Sequence, residues 1–270
     1  MSTRHIGTHH RRMVSYPRSL VQSVYTIFFF PLATVAVAAI FLRGFATVVP
    51  TEQLSLGAVL AALTFTFMRL LIAYLFSIAF AIPLALLVTE SAWAERVFLP
   101  VFDIMQSVPV LAFFPVIIVF FVHYGLYSSA AVFILFLSML WNIVFSLVGG
   151  LHSIPTDIKS VGALFGLHGF AYLKEILLPS VFPYLITGSL LAWAQGWNIV
   201  IVAEVLHVYI PGATASSDIV GIGSMLVHAS AAGQTQAFLL AIAALVTAVA
   251  LINFFVWQKL LKYAERFRFE

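Results

Sequence analysis

The sequence predicts an all-α membrane protein of about six transmembrane helices, and its composition and the length of its apolar runs carry that prediction. Hydrophobic residues make up 63% of the chain and charged residues 9%, with a mean hydropathy of +1.09. No soluble globular interior absorbs such a balance. The apolar residues gather into unbroken runs of about 20, the length that crosses a bilayer as a helix. They do not alternate with polar residues as the short strands of a membrane barrel do, so helices are what satisfy the backbone in lipid.

In chain order the spans are Val24 to Leu42, Leu70 to Thr89, Ile104 to Val122, Ala130 to Val148, Tyr184 to Val202 and Ala237 to Trp257, each free of Lys and Arg. Residues 1–22 form a basic, polar tail. The apolar run that follows has full span length and no small-residue cleavage site, so it is expected to stay as an anchor. Ser55 to Met68 is apolar but too short to span separately; it lengthens the second helix or lies at the interface. Pro83 falls in the second span, and Pro100, Pro109 and Pro115 mark the third. These prolines either bend helices that tolerate it, or shape bent helices that line a pathway and pivot. After the fifth span, His207 to Asp218 holds Pro211, Gly212 and small polar residues, which is loop chemistry. Ile219 to Ala232 is expected as a short helix against the outer mouth. No Pro/Ser-rich linker or charge block divides the chain, so residues 1–270 read as a single domain.

The basic residues set the orientation. With alternating spans, Arg4, Arg11, Arg12, Arg18, Arg96, Lys159, Lys174, Lys259, Lys262, Arg266 and Arg268 all fall on one side. Only Arg43 and Arg69, near helix ends, fall on the other. The positive-inside rule then puts both termini in the cytoplasm, with residues 258–270 as the C-terminal tail and the longest cytoplasmic loop at 149–183. That bias also accounts for the formal charge of +3, so no nucleic-acid partner is inferred. The absence of cysteine excludes disulfides, thiolate metal sites and thiol nucleophiles. The eight histidines show no metal-ligand spacing, so no metal site is expected. No nucleophile elbow, zinc-protease motif or phosphate loop occurs, so the sequence offers no means of hydrolysing ATP.

The loop at 149–183 is semi-polar and punctuated by glycine. Ser153 or Thr156 is a candidate N-cap, with Pro155 allowed in the first turn and Asp157 where the helix dipole favours an acid. Ile158, Val161, Leu164 and Phe165 share a face, and Gly166 supplies a stop. After Leu167, His168 and Gly169, a second helix places Phe170, Leu173 and Leu177 on one stripe, with Lys174 and Glu175 off it, and is expected to end at Pro179. Two such helices at right angles form a knob with an apolar face that needs a partner. A connector lying on the membrane surface is the alternative.

Gly166, Ile176, Leu178 and Pro179 fall in the register of the cytoplasmic signature of ABC importer permeases, where Gly follows Glu-Ala-Ala and Ile-x-Leu-Pro lies ten residues on. "LPVFDIMQSVPVLAFFP" resembles the proline-rich third span of the nitrate, sulfonate, taurine and bicarbonate branch, and "PYLITGSLLAWAQGWNIVIVAEVL" its fifth. "GIGSMLVHASAAG" and the last span are similar to the second half of duplicated anion permeases. The resemblance covers about Leu70 to the C-terminus and implies a type I importer fold with a cytoplasmic coupling-helix loop. It also implies ATPase-coupling roles for Asp157, Ser160, Val161, Gly162, Leu164, Phe165, Gly166, Leu167, Ile176 and Pro179. Ser160, Val161 and Gly162 stand where the signature has Glu-Ala-Ala. Either Asp157, one turn earlier, replaces that acid, or this subunit couples weakly and a partner permease makes the stronger contact.

Polar groups in spans are costly and point inward by default. Arg69, Asp103, Gln106, Asn142, Gln195, Asn198, Glu204 and Asn253 are the candidates; for any one of them a helix-to-helix hydrogen bond is the bland alternative. Arg69, Gln106, Asn142, Gln195, Asn198 and Glu204 are the pathway or gate candidates. Gln195 and Asn198 lie three residues apart on one face, and a negative Glu204 in an anion path is expected to pair with Arg69 as a gate or brace.

The expectation is therefore a non-catalytic transmembrane subunit forming half of an importer's pathway for a small solute, an anion by resemblance. Its partners are an ABC ATPase dimer carrying ATP and Mg, a second permease subunit, identical or related, an extracytoplasmic solute-binding protein and membrane lipid. The chain itself binds no cofactor. The alternative is an ion-coupled secondary transporter, which calls for paired intramembrane acids and a broken-helix repeat.

Overall fold

The computed structural model describes residues 56–89, 91–124, 126–155, 157–158, 164–167, 169–210 and 218–267. The first expected span, Val24 to Leu42, lies outside the described residues. The ordered elements are α1 (Leu56–Thr89), α2 (Ala92–Ser107), α3 (Val110–His123), α4 (Tyr127–His152), α5 (Gly169–Tyr172), α6 (Leu178–Glu204), α7 (Ile222–Ala231), α8 (Thr235–Ile252) and α9 (Gln258–Ala264), with no strand among the described residues. Among the described residues, four helices are long and apolar enough to cross a membrane, or five if the bent pair α2 and α3 counts as one span.

The stretch from Leu56 lengthens the second expected span, so α1 begins well before Leu70 and runs unbroken through Pro83. Its pattern inverts that of a soluble helix. The buried stripe is rich in small residues, Ala62, Thr66, Ala73, Ser77, Ala81 and Ala85, while Phe65, Met68, Leu75, Phe76 and Phe80 are exposed. Helices in lipid gain little by hiding large apolar groups and much by bringing backbones close.

The third expected span is not one helix. Ile104 to Val122 is split between α2 and α3, which meet at 84°. The break falls at Val108, whose backbone is extended at φ −74, ψ 123. The ring of Pro109 disfavours helical geometry in the residue before it, and Pro109 then opens the next helix through the Ala112 N–H to Pro109 carbonyl bond of 2.8 Å. Pro100 and Pro115 lie inside α2 and α3 without breaking them.

Around α4 the bundle closes: α4 packs on α1 and α6, and α1 and α6 touch each other. Gly188 and Gly196 on α6, two turns apart, bring α6 against its neighbours. A Cβ at Gly188 would lie 2.6 Å from Ser146 Cβ and 3.0 Å from the Asn142 backbone carbonyl, whereas one at Gly196 would meet only the flexible ends of Leu70 and Met139. Gly188→Val is therefore expected to lower the melting temperature in detergent sharply, by an overpacking cost of about 1–3 kcal/mol or more. Gly196→Ala is expected to cost less, and thermal unfolding followed by tryptophan fluorescence compares the two.

Two expectations about the loop are corrected. Ser153 does not start a new helix. It ends α4, with its N–H on the Gly149 and Gly150 carbonyls and its hydroxyl donating to Gly150 at 2.8 Å. Nor does Pro179 end the second loop helix. A π-helical turn, Leu173–Leu177, joins α5 to α6, and the span runs on from Leu173 to Glu204. The wider turn pairs the Leu178 N–H with the Leu173 carbonyl, five residues back. Pro179 follows in the first turn of α6, where a missing N–H costs least. A second π turn, Asn253–Trp257, joins α8 to α9, and Trp257 there stacks near Tyr74 and Trp193, at ring-centroid distances of 6.3 and 6.1 Å.

Candidate functional site

Glu204 is the last residue of α6, at the end of the bundle opposite the 153–169 loop, and its side chain is fully buried. Its carboxylate is satisfied from three sides. Oε1 accepts from Arg69 Nη1 at 2.8 Å and Thr66 Oγ1 at 2.7 Å, and Oε2 accepts from the Gly223 N–H at 2.8 Å. Arg69 also donates through Nη2 to the Val220 carbonyl at 2.8 Å. Thr66 accepts the Ile222 N–H at 2.9 Å, so one hydroxyl both gives and takes. A buried charge persists only when paired and hydrogen-bonded, and here both conditions hold.

The same contacts cap a helix. α7 begins after Gly221, which has no side chain to offer its first N–H groups. Those orphan donors are met by Thr66 from α1 and Glu204 from α6, with the carboxylate at the positive end of the helix dipole. A Cβ on Gly221 would overlap the Glu204 carboxylate, and one on Gly223 would lie 2.6 Å from Ile201 Cα. Thr66, Val220, Gly221 and Gly223 were absent from the sequence-based candidates; the close Gly-x-Gly pair before an apolar helix was the only signal for them.

Beside this knot is a second polar cluster that spacing did not reveal. Asp218, with its side chain 1% exposed, accepts from the His207 backbone N–H on Oδ1 at 2.8 Å. His207 Nδ1 and His228 Nε2 each lie 2.7 Å from Oδ2. Burial works to raise the Asp218 pKa, but the His207 N–H and the two imidazoles outweigh it and hold the carboxyl below its ordinary value. Thr156 and the 211–217 segment lie outside the described residues.

The other pathway candidates are not gathered there. Asn142 is half-buried in α4 and donates to the Ser138 carbonyl at 3.4 Å. Gln195 is half-buried, while Asn198 and Gln106 are exposed on the described bundle. Asp103 and Asn253 are exposed as well.

At the opposite end, Asp157 and Ile158 are helical, and so is Leu164. Leu164 and Phe165 are 84% and 77% exposed. Gly166 turns the chain at φ +65, a left-handed geometry that glycine adopts without cost. Ile176 and Pro179 line a cleft of about 320 Å³ with Ile158, Glu175, Ser180, Arg266 and Phe267. Ser160, Val161 and Gly162 lie outside the described residues.

Residues 77–262, which hold the loop, its left-handed glycine and Glu204, match the family model for the binding-protein-dependent transport system inner membrane component. The chain belongs to that family. It is similar to the nitrate import permease protein NrtB of Leptolyngbya laminosa, at 28% identity over 64% of this chain and 58% of that one. The bicarbonate transport system permease protein CmpB of Synechococcus elongatus is 30% identical over 46% of this chain and 40% of its own. The putative aliphatic sulfonates transport permease protein SsuC of Escherichia coli is 28% identical over 56% and 53%. The chain spans about half the length of these relatives. This inner membrane component is a multi-pass, all-helical membrane protein.

Proposed function

We propose that this inner membrane component forms half of the translocation pathway of an ATP-driven importer for a small anion delivered by an extracytoplasmic binding protein. The observation that carries the reading is the pair Leu164 and Phe165, held out beside the left-handed Gly166 on a loop between spans. Large apolar side chains so exposed on one turn form a docking knob, and an ATPase dimer is the partner that a coupling knob serves. Asp157, helical and exposed in the same loop, takes the part of the absent signature glutamate. ATP and Mg belong to the ATPase, and this chain is non-catalytic.

Both termini face the cytoplasm, since the basic residues gather on that side. Gln106 and Asn198, exposed on the described bundle, are costly facing lipid and favour a pathway shared with a second permease subunit. The anion class rests on the relatives named for nitrate, bicarbonate and sulfonates. Arg69 and Glu204 form the outer gate or brace, and because they neutralise each other the acid does not repel a passing anion. Nothing in the relatives favours an ion-coupled secondary transporter.

The test is to purify the chain from its native membrane in mild detergent and identify what co-elutes. An ATPase and a second permease chain are expected. Elution alone, or as a simple oligomer without ATPase, would overturn the reading.

A further inference from the structure

We propose that His207, Asp218 and His228 form a binding site for one divalent transition-metal ion of the zinc type, beside the Arg69–Glu204 pair. Two imidazole nitrogens and one carboxylate oxygen come from three separate places: the 3-10 turn His207–Tyr209, the segment before α7, and α7 itself. Their ligand atoms all lie within 4.8 Å of one another. A tetrahedral zinc holds such atoms roughly 3.3 Å apart, at about 2.0–2.2 Å from the ion. The two nitrogens sit 2.7 Å from Asp218 Oδ2 and within 4.8 Å of each other, so an ion enters as the two N–O contacts open by about half an ångström and the imidazoles draw together by at most about 1.5 Å. Two imidazoles and one carboxylate, with no thiolate, suit zinc and its neighbours rather than calcium or magnesium.

The surroundings fit a metal centre. Asp218 Oδ1 is fixed by the His207 N–H, which orients the ligand as outer-shell partners do. The carboxylate is buried, while the His207 and His228 side chains are 29% and 41% exposed, leaving a way in from solvent. Three protein ligands leave a fourth position for water.

Occupancy would act on the neighbouring knot through the backbone. Asp218 is followed by Ile219, whose N–H donates to the Glu204 carbonyl at 3.2 Å, and by Val220, whose carbonyl accepts from Arg69. An ion that joins His207 to His228 across Asp218 staples α7 and the segment before it to the 3-10 turn that follows α6. The site does not depend on the transport reading.

The experiment uses the full chain in detergent, stripped with a chelator and titrated with Zn²⁺ against a chromogenic competitor. One tightly bound Zn²⁺ per chain is expected. His228→Gln and Asp218→Asn should weaken it at least ~10-fold, and a variant with His9→Ala and His10→Ala in the basic tail should keep it. Equal binding by wild type and His228→Gln, or no binding beyond what the tail variant loses, would overturn the site and leave the trio a hydrogen-bonded brace. Should the site variants fail to fold, Co²⁺ added to the wild-type chain decides. Intense visible absorption of a four- or five-coordinate ion supports the site, and the weak spectrum of hydrated cobalt overturns it.

Discussion

Arg69→Met is expected to produce the largest loss of stability of any single substitution in this chain. It leaves the Glu204 carboxylate, fully buried, with two neutral donors and no counter-charge. Removing one member of a buried pair costs about 3–5 kcal/mol, because the other charge stays in low dielectric. Glu204→Gln is expected to be nearly as damaging. Its amide either turns its NH2 toward the Gly223 N–H, donor against donor, or abandons Arg69. The double variant Arg69→Met/Glu204→Gln removes both charges and should cost much less than the sum, a coupling that thermal unfolding in detergent measures. Uptake in cells then separates the two roles. A double variant that is stable but does not transport identifies a gate; recovery of both identifies a brace. Unchanged transport by Glu204→Gln alone would remove both roles.

Phe165→Asp together with Leu164→Asp is expected to abolish retention of the ATPase while leaving the bundle intact. The two side chains are 77% and 84% exposed, so their loss costs the isolated chain little. In a docked complex they would be the anchors, and an apolar hot spot is worth about 2 kcal/mol or more, roughly a 30-fold change in affinity for each. Gly166→Pro tests the same knob through the backbone. Proline is locked near φ −65, whereas Gly166 stands at φ +65, so the turn that presents Leu164 and Phe165 has to rearrange. Co-elution of ATPase with each variant, beside an unchanged melting temperature, is the measurement. ATPase retained by the double aspartate variant would show that the loop is a surface connector.

Reading residues one at a time served some positions well. Arg69 and Glu204, 135 residues apart, were paired by charge logic, since a lone acid near a span end needs a cation. Gly166 was read as a stop because it follows an apolar face, and its backbone is left-handed at φ +65. The same reasoning failed at Pro179, which looks like a helix terminator in one dimension. The π turn before it, which lets the span continue, is a backbone solution with no residue signature. Ser153 was one of two candidate N-caps, with Thr156, which lies outside the described residues; its hydroxyl found the carbonyl behind it, and both bonds are open to a serine between two helices.

The sequence by itself determined that this chain is helical and membrane-embedded, roughly where the second, fourth, fifth and sixth expected spans lie, and which family it resembles. Hydropathy, span length and a fixed motif register are properties of the chain read in order. Only the tertiary structure decided that Val108 breaks the third span at 84°, that Thr66 and Glu204 cap α7 from two other helices, and that His207, Asp218 and His228 meet. The break is local, set by Pro109 on Val108, but its angle is not written in the chain; the cap and the trio depend on groups brought together across helices, and a hydrogen bond over 138 residues, such as that from Thr66 to Glu204, leaves no periodic trace in the sequence.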